Sequence, residues 1–152
     1  MSQLVMLRHG LSQWNIENRF TGWVDVPLAE EGKAQARDTA KLHQRYNFEV
    51  AYTSLLLRAA DTLDIVLDEM KHPKLEIIRD ASLNERNYGD LQGKNKNEIR
   101  KTHGEELFQL WRRSYFGKPP GGESLQETAE RTLPFLSSSF RLRYCSLKCD
   151  TI

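Results

Sequence analysis

Arg8-His9-Gly10 directly follows four consecutive apolar residues, Leu4-Val5-Met6-Leu7. In open α/β sheets, ligands bind beyond the carboxyl ends of the strands. A histidine at such a strand end, beside a permanently charged guanidinium, suits attack on an anionic phosphoryl group. The neutral imidazole is the nucleophilic form, and the arginine binds phosphate oxygens bidentately. Taken alone, His9 fits equally well as a hydrogen-bonded structural histidine.

The elements that would place this histidine follow from the hydrophobic pattern. Residues 4–7 predict a buried strand that empties into the His9 loop. Asp25-Val26-Pro27-Leu28 leads into a helix over 30–45, with Glu30 and Glu31 in its first turn, where the helix dipole favours them. Residues 48–53 predict a second strand. Leu56, Ala59, Ala60, Leu63, Leu67 and Met70 step by three or four, the clearest helical period in the chain, and Pro73 closes that region. Residues 75–78 predict a third strand, residues 80–95 a polar loop, and residues 98–115 one or two helices broken near Gly104. The loop over 118–122 delivers Glu123-Ser124 to a last helix over about 125–136. Strands alternating with longer helical patterns predict βαβ units and a mostly parallel sheet.

Composition limits the function classes. The 152 residues fit one domain, with 22 Lys+Arg against 21 Asp+Glu and a formal net charge of +1. A near-zero balance gives no warrant for a nucleic-acid partner. At 39% hydrophobic and 28% charged residues, the chain has a soluble globular balance. No apolar run approaches the roughly 18 residues of a membrane span, and the first residues show no signal-peptide pattern, so a cytoplasmic protein without a membrane partner is expected. Cys145 and Cys149 both fall in the last eight residues, which suits incidental thiols better than a disulfide framework or a zinc site.

Several segments in register carry a more specific message. Arg8-His9-Gly10-Leu11-Ser12-Gln13-Trp14-Asn15, followed by Arg19-Phe20-Thr21-Gly22-Trp23, resembles the phosphate-binding opening of the cofactor-dependent phosphoglycerate mutases, members of the histidine phosphatase superfamily. Leu57-Arg58-Ala59 resembles the second arginine motif of that family, and Leu83-Asn84-Glu85-Arg86-Asn87-Tyr88-Gly89 the segment bearing its catalytic acid. Leu91-Gln92-Gly93-Lys94-Asn95-Lys96 and Trp111-Arg112-Arg113 match two more. Order and spacing agree over residues 1–135, which are expected to form one mutase-like domain, with 136–152 as an anomalous tail.

The resemblance implies a three-layer α/β/α fold lacking its C-terminal portion, and it implies roles. His9 would become phosphohistidine, and Glu85 would donate and accept the proton. Arg8, Ser12, Asn15, Thr21, Gly22 and Arg58 would surround the transferred phosphoryl group. Tyr88, Lys96, Arg112 and Arg113 would hold the substrate carboxylate and second phosphate. The implied reaction interconverts 3-phosphoglycerate and 2-phosphoglycerate in glycolysis and gluconeogenesis. It is primed by 2,3-bisphosphoglycerate and uses no metal, since no Asp/His cluster stands at ligand spacing. Whether copies associate as a homo-oligomer is open. A histidine phosphatase is the alternative enzyme, and an impaired chain that only binds small anions is the alternative without turnover.

Outside that pattern these residues have plainer readings. Arg112-Arg113 would be a solvated helix face, Glu85-Arg86 a surface pair, Arg58 a helix decoration and Lys96 plain surface. Thr21-Gly22 and Asn15 would be turn residues, and Trp14 and Trp23 packing residues. The sequence departs from the family at Leu11, usually polar, and at Asn87, commonly histidine. A second His-Gly motif at a later strand end is expected of the family. After Phe135 nothing resembles it, and His103-Gly104 follows polar residues between helices. The last residues therefore read as a truncated or frameshifted end.

Overall fold

The computed structural model of the chain describes residues 3–72 and 74–144. Pro73, both cysteines and the last eight residues of the segment expected to be an anomalous tail lie outside the described residues. The elements run α1 (Gln13–Ile16), α2 (Glu30–His43), β1 (Val50–Thr53), α3 (Leu57–Glu69), β2 (Glu76–Arg79), α4 (Lys96–Arg113) and α5 (Leu125–Tyr144). This is an α/β fold. β1 and β2 pair in parallel, with Val50 opposite Glu76 and Thr53 opposite Arg79, and α3 forms the crossover between them.

Side chains cap the starts of α1, α4 and α5. Ser12 caps α1 in a reciprocal capping box with Asn15. The Asn95 side chain accepts the Asn97 and Glu98 amides at the start of α4. Ser124 and Glu127 exchange bonds at the start of α5, the amide of each donating to the side chain of the other at 2.8 and 3.1 Å. Gly104 interrupts α4 at φ +82°, so the expected break near this residue is present as a kink within one element.

Among the described residues, two apolar clusters hold α2 against α3 and the loop after α1 against α4. Ala36 and Ala40 of α2 meet Val66 of α3 and the adjoining Met70. Of the residues in the period read from 56 to 70, Met70 belongs to this cluster, while Val66, its other member on this side, lies outside that period. Phe20, Leu91, Ile99, Phe108 and Trp111 form the second cluster, with Tyr88 packed on it. It joins the loop after α1 to α4 and so gathers four of the motifs on one side of the molecule.

Two expectations change. Residues 4–7 form no strand, and Leu4 and Met6 are 58% and 81% exposed. An apolar run reports a preference for burial, whereas a strand also needs a backbone partner, and β1 and β2 use each other. The second change is the length of α5, which continues to Tyr144 through Pro134 and Ser137-Ser138-Ser139. Serine hydroxyls can bond back to helix carbonyls instead of ending the helix, as Ser138 does to the carbonyl of Phe135 at 2.9 Å.

Candidate active site

His9 sits in a loop pressed onto α2 and α3. The amide of Gly10 donates to Oγ1 of Thr62 at 3.1 Å, and Thr62 donates to the carbonyl of Arg58 one turn earlier on α3 at 2.7 Å. The amide of Leu11 donates to the Gln35 side chain of α2 at 3.0 Å. A Cβ on Gly10 would collide with the carbonyl of Gly32, and one on Gly32 with the carbonyl of Leu11. Paired glycines are what allow the two backbones to touch there.

Nδ1 of His9 lies 2.7 Å from the carbonyl of Gly10. A carbonyl only accepts, so Nδ1 carries the hydrogen and Nε2 keeps the lone pair. Burial holds the His9 pKa below its ordinary value, and Arg58 and Arg8 push the same way, while the Gly10 carbonyl and Glu85 oppose them. The ring is therefore neutral at neutral pH, with Nε2 available as a nucleophile. Nε2 is 4.0 Å from Oε2 of Glu85.

Arg58 is fully buried in the first turn of α3. Its Nη1 donates to the carbonyl of Val24 at 3.1 Å, and its Nη2 to the carbonyl of Gly22 at 2.6 Å and to Oε2 of Glu85 at 2.8 Å. Its Nε has no partner among the described residues. Gly22 has φ +58°, the left-handed region that suits glycine, and a Cβ there would strike the Gln92 side chain.

Lys96 opens α4 with Nζ 5.9 Å from the centroid of Phe20. Burial lowers its pKa, and Arg112 and Arg8 add to that while Glu85 opposes it. Arg112 lies over the ring of Phe108 at 5.2 Å. Tyr88 packs against Phe20 with ring centroids 5.0 Å apart. Residues from five separate sequence motifs thus converge on one cationic site. Arg8, His9, Arg58, Glu85, Lys96 and Arg112 all interact within it. This donor set fits a small phosphorylated anion. Among the described residues no cluster of His, Cys, Asp and Glu is placed to hold a metal ion.

Other expected residues are placed less directly. Ser12 is buried, and its hydroxyl donates to Oδ1 of Asn15 at 2.9 Å, so both side chains serve the turn. Thr21 is buried beside Gly22. Arg113 is exposed in the last turn of α4. His103 packs edge-on against Trp111 at 5.1 Å and takes no part in the site.

Sequence reasoning missed several supports. Arg86 is buried, and its Nη2 donates to the carbonyls of Trp111 at 2.5 Å and Arg112 at 3.3 Å, tying the Glu85 segment to the end of α4. Thr62 and Gln35 hold the His9 loop, and Trp23 donates to the carbonyl of Glu85 at 2.6 Å. The one signal for Thr62 was its position one helical turn after Arg58.

The family model of the histidine phosphatase superfamily (branch 1) matches residues 4–143. The chain is 54% identical over 135 residues to a 2,3-bisphosphoglycerate-dependent phosphoglycerate mutase 2 of Gloeobacter violaceus, covering 89% of this chain and 62% of that protein. A phosphoglycerate mutase of Schizosaccharomyces pombe is 51% identical, covering 90% of this chain and 65% of its own length. A mycobacterial glucosyl-3-phosphoglycerate phosphatase solved with VO3 superposes with a TM-score of 0.80 at 28% identity, covering 90% of this chain and 63% of that one. The chain spans a little under two thirds of the length of these proteins. With its fold, its motifs and this match in agreement, the chain belongs to the histidine phosphatase superfamily.

Proposed function

We propose that the chain carries the phosphoryl-transfer centre of a 2,3-bisphosphoglycerate-dependent phosphoglycerate mutase, working in glycolysis and gluconeogenesis in the cytoplasm. The carrying observation is the approach of Nε2 of His9 to the Glu85 carboxylate at 4.0 Å, with buried Arg58 on the same oxygen. The mutase names of relatives at 50% identity and above support the choice of substrate. No described helix is long and apolar enough to cross a membrane.

In this reading 2,3-bisphosphoglycerate supplies the phosphoryl group that charges His9. The Nε2 lone pair forms the N–P bond as the P–O bond breaks, and Glu85 protonates the departing oxygen. In the return step Glu85 takes the proton of the attacking hydroxyl, and the phosphoryl group moves from Nε2 to that oxygen. Arg8 and Arg58, with Ser12, Asn15, Thr21 and Gly22, surround the transferred group. Fixed cations stabilise the charge spread over its oxygens. Tyr88, Lys96, Arg112 and Arg113 hold the carboxylate and the second phosphate. A coupled enolase assay tests the reaction: formation of 2-phosphoglycerate from 3-phosphoglycerate should depend on 2,3-bisphosphoglycerate as primer, and primer-independent turnover would reject it.

The likeness to a glucosyl-3-phosphoglycerate phosphatase favours a second reading, in which water takes the phosphoryl group from His9. Arg113→Ala separates the two. One charge-assisted contact is worth roughly 1.5–3 kcal/mol, about 10- to 150-fold in rate. A mutase should lose that factor in mutase activity while hydrolysis of a generic phosphate ester changes less. Equal losses would favour the phosphatase.

A further inference from the structure

Arg131 of α5 stands outside the catalytic cluster, yet its guanidinium is bound on every side. Its Nε donates to Oε1 of Glu123 at 2.8 Å, and its Nη1 to the carbonyls of Ser82 at 2.9 Å and Ala81 at 3.5 Å. Its Nη2 donates to Oε2 of Glu123 and to the carbonyl of Glu85, both at 3.0 Å. The same Glu85 carbonyl accepts from Nε1 of Trp23, and the Arg131 guanidinium lies 5.5 Å from the Trp23 ring centroid.

Glu123 completes the clasp. Its Oε2 accepts the amide of Asn87 at 2.8 Å, and its own amide donates to the carbonyl of Asn87 at 2.9 Å. Although burial pushes the Glu123 pKa upward, the bonds from Arg131 and Asn87 outweigh it and hold the carboxyl below its ordinary value. The backbone over 85–87 is thereby gripped on both sides of Arg86. This matters because the Glu85 side chain is 39% exposed and gets little placement from packing. Arg58 holds one carboxylate oxygen at 2.8 Å, and where the backbone is fixed sets the other end of the side chain.

We propose that Arg131, locked by Glu123, is a positioning residue that fixes the Glu85 carbonyl and thereby aims the Glu85 carboxylate at Nε2 of His9. The proposal rests on the pairing of His9 and Glu85 in the function given above. Arginine suits this task because its planar fork meets several acceptors at fixed angles, which a lysine ammonium cannot do at the same charge.

The test follows the His9 imidazole by NMR titration in the 152-residue chain, so it needs no turnover. The groups acting on His9 are Arg58, Arg8, Glu85 and the Gly10 carbonyl. Glu85→Gln should move the His9 midpoint down, because the Glu85 charge favours the imidazolium. The charge-preserving Arg131→Lys should move it the same way by a substantial part of that shift. Glu123→Gln, which removes the charge that locks Arg131, should do so too, and an unchanged midpoint there overturns the proposal if Arg131→Lys does not fold. A His9 midpoint unchanged in folded Arg131→Lys, with Glu85→Gln shifted, overturns the proposal and leaves the function standing. A midpoint unmoved by Glu85→Gln overturns the His9–Glu85 pairing itself, and the proposal with it.

Discussion

Nη2 of buried Arg58 lies 2.8 Å from Oε2 of Glu85, and that same oxygen is 4.0 Å from Nε2 of His9. One carboxylate oxygen thus stands between a desolvated cation and the His9 imidazole. The guanidinium also holds the carbonyls of Gly22 and Val24, so it joins the loop after α1, the first turn of α3 and Glu85.

Arg58→Met should therefore be costly to the fold as well as to the chemistry. It leaves the carbonyls of Gly22 and Val24 and the part-exposed Glu85 carboxylate without their shared donor. The expected loss is roughly 1–3 kcal/mol, the cost of leaving buried acceptors without a donor. Urea unfolding measures it as a lower midpoint at unchanged slope. A loss under about 0.5 kcal/mol, the usual range for surface changes, would contradict the structural role.

The His9 environment makes a signed prediction about pH. Burial and the two arginines lower the folded-state pKa below the ordinary value of 6.5. As pH falls below 6.5 the unfolded chain binds the proton first, so stability falls with acidification through that window until the folded-state pKa is passed. Above 6.5 both states are neutral and His9 contributes no slope. His9→Gln should flatten the acid side of the stability profile between pH 8 and 5. Identical profiles for the variant and the parent would show that the imidazole is not depressed.

Gly32 tests the close approach beneath the His9 loop. At an ordinary helical position, replacing glycine by alanine gains about 0.5–1 kcal/mol. At Gly32 the added methyl meets the carbonyl of Leu11, and overpacking of this kind costs roughly 1–3 kcal/mol. Gly32→Ala should lower the melting temperature and reduce labelling of His9. A rise in melting temperature would mean the loop yields without cost.

Much of this was legible because it is local. The α3 period, the Glu30-Glu31 start of α2, the break at Gly104 and the Ser124 start of α5 are written in neighbouring residues. Expected β2 began one residue earlier than observed, while its parallel pairing with β1 followed from the βαβ pattern. Residues 4–7 misled because strand formation depends on a partner distant in sequence. The cations and Glu85 were found through their motifs. Arg86, Thr62 and Arg131 were not, since nothing in a sequence tells a surface arginine from one buried against helix-end carbonyls. The tight contact of Gly10 with Gly32 was equally hidden.

Leu4 and Met6 stand exposed immediately before Arg8 and His9, and the chain spans 62–65% of the length of its mutase relatives. A polypeptide of these 152 residues alone is expected to run the mutase reaction at least about 10²-fold slower than a full-length relative, because ~1 Å of misplacement can cost that much. Extending it with the corresponding part of a relative should restore the rate. The coupled enolase assay on both forms measures this, and equal turnover would show that the site is complete as it stands.

The central claim is that Nε2 of His9 accepts a phosphoryl group, and trapping with labelled 2,3-bisphosphoglycerate tests it most directly. The phosphoenzyme should carry acid-labile, base-stable label in the parent chain and none in His9→Ala. Undiminished label in His9→Ala, or no label in the parent, would contradict the account.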